Sequence, residues 1–131
     1  MSTSSRQIIA TDMAPQAIGP YSQAILAGNH LFVSGQIAID PASGTFVAGD
    51  IKSQTRQVFT NLEAILLASG YSFEEVVFVQ VFLTDMSHFA EMNAIYAQYF
   101  SAAPPARAAI EAAALPKGAL IEICLQAIKT A

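Results

Sequence analysis

At 131 residues, the chain is long enough for one domain with one proper core, and at 53% hydrophobic and only 12% charged it carries more apolar side chain than such a domain hides alone, which points to an obligate oligomer. A net charge of −4, with six scattered Lys and Arg, lacks the electrostatic footprint of a nucleic-acid binder. No apolar run approaches the roughly 18 residues of a membrane span.

Arg6 to Ala10 reads as a short strand and Thr11 to Pro20, with two prolines and a glycine, as a loop. Ser22 to Ala27, the turn Gly28-Asn29, and Leu31 to Ser34 form a hairpin pattern. Asp40 to Gly44 is a further turn. Asp50 to Ser69 reads as a long helix, with Asp50 as N-cap and Gly70 just past its end. Its inner stripe is Ile51, Val58, Phe59, Leu62, Ile65 and Leu66. Glu75 to Thr84 has the near-continuous apolarity of a strand buried on both faces. Met86 to Phe100 is a second helix, with Phe89, Met92, Tyr96, Tyr99 and Phe100 as its stripe and Asn93 at or near that face. Ala106 to Ala113 and Ala119 to Lys129 are the last strands, joined through the turn Leu115-Pro116-Lys117-Gly118. The order β-β-β-α-β-α-β-β predicts an α+β fold in which two helices cover one face of a mixed sheet and partner subunits cover the other.

Period-two alternation puts Arg107, Ala109 and Glu111 on one face of the penultimate strand, and Glu122, Cys124 and Gln126 on one face of the last. If the two strands are neighbours, Arg107 and Glu122 share one cavity or interface. An unpaired guanidinium in a dry place is expensive, so Arg107 needs a carboxylate. That carboxylate is either Glu111 or Glu122, within or between chains, or a ligand's, gripped by the planar guanidinium fork between small alanines. Tyr21 could project a hydroxyl from its turn or simply pack there. Ser34-Gly35 could offer a ligand a hydroxyl and a backbone N–H or be an ordinary strand end. Asn93 could cap or bridge at a helix–sheet contact. Cys124, the single cysteine, excludes an intrachain disulfide, fits a reducing compartment, and reads as a buried structural thiol. His30 and His88 have no neighbours at metal spacing, and no nucleophile elbow, P-loop or dinucleotide motif occurs. The N-terminal MSTSSRQIIA has neither a signal peptide's apolar core nor a transit peptide's length, so a cytoplasmic location is expected.

Five stretches in order, G-P-Y-S-Q-A (Gly19 to Ala24), F-V-S-G-Q-I (Phe32 to Ile37), M-N-A-I-Y (Met92 to Tyr96), P-A-R (Pro105 to Arg107) and L-P-K-G-A-L-I-E-I (Leu115 to Ile123), resemble the RidA, or YjgF-type, family over nearly the whole chain. The resemblance implies one chorismate-mutase-like α+β domain spanning residues 1–131, with a mixed six-stranded sheet and two helices on one face. It also implies a homotrimer with a central β-barrel and clefts between subunits. The implied activity is hydrolysis of reactive enamines and imines, such as 2-iminobutanoate and 2-iminopropanoate, to 2-oxo acids and ammonia, with no metal or organic cofactor.

By the same resemblance Arg107 binds the substrate carboxylate, Glu122 stands near the attacking water, and Tyr21 and Asn93 line the cleft; Tyr21, or Glu122 through water, is also the candidate catalytic proton donor to an enamine carbon. Ser34 and Gly35 contact the ligand. Ala109 stands where many members have a cysteine, so it acts through its backbone if at all. Pro104 replaces an aromatic often found before P-A-R, and the preceding loop is shorter than in some members. Substrate preference is the property these departures touch. A protonated imine is already electrophilic, so positioning plus a water suffices. Two rival readings are an endoribonuclease or translation inhibitor, which the acidic charge disfavours, and a non-catalytic binder of 2-oxo acids or related metabolites, which would need Arg107 but not Glu122.

Overall fold

The structure, a computed structural model, describes residues 6–130; residues 1–5, part of the stretch read for a targeting signal, lie outside the described residues. In chain order the strands are β1 (Arg6–Ile9), β2 (Ala24–Ala27), β3 (His30–Gln36), β4 (Ile39–Asp40), β5 (Thr45–Phe46), β6 (Val76–Leu83), β7 (Ala106–Glu111) and β8 (Ile121–Ile128). The helices are α1 (Ile51–Ala68) and α2 (Phe89–Tyr99). Six strands make one mixed sheet in the order β1-β2-β3-β8-β6-β7, and β4 and β5 make a small hairpin closed by the Asp40–Gly44 turn. Only β6 and β7 run parallel, as a crossover through α2 requires.

The local chemistry sets the helix ends. The Asp50 carboxylate accepts from Ser53 N at 2.8 Å, capping α1, and Gly70 takes φ 78° just beyond its end. Every residue of the expected α1 stripe is buried. Before α2, residues 86–88 form a 3-10 turn instead of α-helix, because the Asp85 carboxylate accepts from Ser87 N at 2.9 Å and tightens the chain there.

Both helices lie on the face made by Leu31, Val33, Val79, Val81, Leu83, Ile121, Ile123 and Leu125, all buried. Phe59 anchors the helix pair: it stacks on Tyr99 at 4.3 Å and meets Tyr96, Phe73 and Phe100 at about 6 Å. Truncating Phe59 to Ala would cost about 3–5 kcal/mol.

The strand expected to be buried on both faces is not so within one chain. Val79, Val81 and Leu83 of β6 are buried, while Phe78, Gln80 and Phe82 are half-buried on the opposite face. Their register neighbours there are Gln126, Cys124 and Glu122 of β8 and Ala106, Ala108 and Ile110 of β7. Ile110 is 52% exposed and Phe32 43%. The apolar residues of β6 therefore also line a face that no described element of the chain fully covers.

Candidate functional site

The residues singled out from sequence fall into two groups on opposite faces of the sheet. β7 and β8 are not neighbours, because β6 runs between them. The row Arg107–Val79–Leu125–Val33 faces the helices, and the row Ile110–Phe82–Glu122 faces away. Arg107 and Glu122 therefore do not share a cavity within one chain.

Arg107 stands on the edge strand with α2 beneath it. Its guanidinium carbon lies 4.6 Å from the Tyr96 ring centre and 5.3 Å from that of Phe89. Its Nη1 donates to Asn93 Oδ1 at 2.6 Å. Phe89, Asn93 and Tyr96 are spaced by four and three residues, so α2 presents all three on one face. Two aromatic rings and an amide thus hold the fork in place. The Tyr96 hydroxyl is buried without a hydrogen-bond partner, and burial pushes its pKa up against the pull of the Arg107 charge. The intrachain ion pairs considered for Arg107 are not made. Glu111 accepts from Met86 N at 2.8 Å, and Glu122 lies across the sheet. Ala109 follows on the same face of β7, half-buried, with no side-chain functional group.

Glu122 borders a cleft of about 600 Å³ on the other side, with Tyr21, Ser34, Gly35 and Lys117. Apolar walls come from Ile18, Ile37 and Ile39. The Glu122 carboxylate rests against Gly35 so closely that a Cβ there would overlap it. Burial raises the Glu122 pKa above that of an ordinary carboxylate. The Ser34 hydroxyl donates to Ser22 O at 2.5 Å, and Ser34 N donates to Gln23 O at 2.9 Å, which fixes the end of β3 to the Tyr21 loop. Tyr21 is 53% exposed, and its hydroxyl accepts from Ile18 N at 3.4 Å. Cys124, two residues along the strand, has its thiol pKa raised by burial and by the Glu122 charge, and its Sγ donates to Gln80 Oε1 at 3.3 Å. It is a half-buried structural thiol, paired within the sheet.

Sequence reasoning missed a set of buried amides that hold loop backbone, with Gln23 and Asn61 holding residues that line the cleft. Gln23 Nε2 donates to Thr11 O, Ala14 O and Pro15 O at 2.8–3.3 Å, and its Oε1 accepts from Thr11 N at 2.7 Å. Asn61 Nδ2 donates to Ile37 O and Ile39 O, at 3.2 and 3.0 Å. Gln54 donates to Gly49 O and accepts from Leu120 N, at 3.1 and 2.9 Å. Each satisfies backbone that no strand or helix pairs, which is how irregular loops are kept in one conformation. Gln54 and Asn61 lie seven residues apart on the apolar stripe of α1, and polar residues at stripe positions were the available signal. Phe89 and Tyr96 read from sequence as core alone.

Among the described residues no cluster of His, Cys, Asp and Glu could hold a metal ion, and no helix is long and apolar enough to cross a membrane.

The sequence matches the family model described as Endoribonuclease L-PSP over residues 11–129. A RutC family protein of Pyrococcus horikoshii is 58% identical over 118 residues, 90% of this chain and 94% of that protein. A human 2-iminobutanoate/2-iminopropanoate deaminase is 47% identical over 129 residues, 98% of this chain and 94% of its own. Among solved structures, E. coli TdcF with bound serine is similar at a TM-score of 0.90 and 38% identity, covering 95% of this chain and 99% of that one.

Proposed function

Because this chain belongs to the Endoribonuclease L-PSP family, the RidA (YjgF-type) family whose motifs it carries, we propose that it is a deaminase of 2-iminobutanoate and 2-iminopropanoate, working as a homotrimer. The observation that carries this reading is the separation of Arg107 from Glu122. One chain holds a preformed carboxylate fork on one sheet face and a desolvated carboxyl on the other, so a complete site needs two copies. The uncovered face of β6 and the free edge of β7 are surfaces on which neighbouring copies would sit.

In the proposed site Arg107 of one copy grips the substrate carboxylate, and the cleft of the next copy receives the imine carbon. Water adds its oxygen to C2 of the protonated imine while Glu122 takes a water proton. Glu122 then gives that proton to nitrogen, and as the C–N bond breaks it takes the proton of the new hydroxyl, so ammonia leaves and the carbonyl of the 2-oxo acid forms. A carboxyl with a raised pKa suits both halves of that exchange. Ser34 and the Gly35 backbone line the ligand's path, Tyr21 and Asn93 bound it, and Ala109 contributes through its backbone. The chemistry asks for positioning and one water, consistent with a reaction that uses no cofactor.

The test is to generate 2-iminobutanoate in situ with a threonine dehydratase, trap surviving imine with semicarbazide, and compare wild type with Arg107→Ala. Faster imine loss with wild type alone is expected. No effect of wild type on this imine or on 2-iminopropanoate would overturn the reading. Salt-sensitive cleavage of RNA would instead favour the endoribonuclease reading. Binding of 2-oxobutanoate without turnover would favour a non-catalytic metabolite binder.

A further inference from the structure

Lys117 is the one residue other than glycine among those described that takes a positive φ, at 58° with ψ 21°. It sits at the tip of the tight turn Pro116–Gly118, closed by Gly118 N to Leu115 O at 3.2 Å and Ala119 N to Pro116 O at 3.1 Å. A side chain is disfavoured in this conformation and glycine is at ease there. A turn alone would be better served by glycine, so the lysine side chain has another use.

The surroundings indicate which. Among the described residues lining the cleft, Lys117 is the one cation and Glu122 the one carboxylate. No hydrogen bond joins the two side chains among the described contacts, and burial raises the Glu122 pKa. The net charge is −4, so an anionic substrate approaches against the field of the whole chain.

We propose that Lys117 is a second carboxylate-recognition residue of the cleft, a mobile ammonium that draws in and orients 2-imino and 2-oxo acids before the Arg107 fork holds them. This rests on the reading that the cleft takes a small carboxylate substrate. The role is binding and steering; the ammonium transfers no proton.

The experiment is calorimetric titration of full-length protein with 2-oxobutanoate for wild type, Lys117→Arg, Lys117→Gln and Lys117→Gly, with imine turnover measured alongside. Lys117→Gln should weaken binding about three- to fivefold, as expected for one partly exposed charge. Lys117→Arg should hold it near wild type. Lys117→Gly keeps the turn and removes the whole side chain, charge included, so it should weaken binding at least as much as Lys117→Gln while melting normally. In turnover the loss should fall on KM with kcat nearly unchanged, and the salt dependence of kcat/KM should flatten. Unchanged binding in both the Gln and Gly variants would overturn the proposal, as would wild type failing to bind 2-oxobutanoate. Weakened binding without imine turnover in wild type would sustain Lys117 and sink the deaminase reading; turnover unaltered by either variant would do the reverse.

Discussion

Gly35 and Glu122 occupy each other's space: a methyl group at position 35 would overlap the Glu122 carboxylate. Gly35 has an ordinary backbone conformation, so the glycine is needed for room and not for φ. Gly35→Ala should therefore push the carboxylate aside. Imine turnover should fall at least about tenfold, since a small misplacement of a reacting group costs that much or more, and stability should drop by about 1–3 kcal/mol from overpacking. A double-mutant cycle separates the causes. In a Glu122→Ala background the same Gly35→Ala change should be nearly neutral for melting temperature. An equal stability loss in both backgrounds would mean that the alanine clashes elsewhere.

Glu122 also ties stability to pH. Burial raises its folded pKa above the ordinary carboxylate value of 4.5. The folded protein thus holds this proton more tightly than the unfolded chain does. The resulting stabilisation is fully present below the unfolded value and is lost as pH rises through the folded one. Glu122→Gln should remove this loss. Melting temperature against pH should show the variant gaining on wild type through the window just above pH 4.5 and levelling off beyond it, while imine turnover is abolished. Parallel curves for the two proteins would show that Glu122 is not desolvated in solution.

Much of the fold was legible because its signals are local. Asp50, Gly70 and the α1 stripe mark a helix by spacing and capping alone, and Ile121 to Ala127 alternates as a half-covered strand must. The relation between Arg107 and Glu122 was not local. Alternation states which residues of one strand share a face, but which face meets the helices depends on strand order and register. β6 enters between β7 and β8, and the register then turns Arg107 toward α2 and Glu122 away from it. Glu122, Ser34, Gly35 and Tyr21 do converge, as do Arg107 and Asn93. The aromatic cradle of Arg107 was hidden for a different reason. Phe89 and Tyr96 follow the same helical spacing whether they fill a core or flank a cation, and only the third dimension separates the two uses.

The opposed faces of Arg107 and Glu122 lead to a complementation test. Arg107→Ala retains an intact Glu122 cleft, and Glu122→Gln retains an intact guanidinium cradle. If each site takes its arginine from one copy and its glutamate from the next, neither variant alone has a working site. Unfolding and refolding an equal mixture, or co-expressing the two, should restore about a quarter of wild-type turnover, since random assembly joins an intact Arg107 to an intact Glu122 at one interface in four. A double variant, Arg107→Ala with Glu122→Gln, mixed with wild type sets the control for assembly. Recovery of activity would require that the two residues act across an interface, because no redistribution of chains repairs a site contained within one. Mixed oligomers verified by mass spectrometry yet inactive would mean that Arg107 and Glu122 do not serve the same substrate.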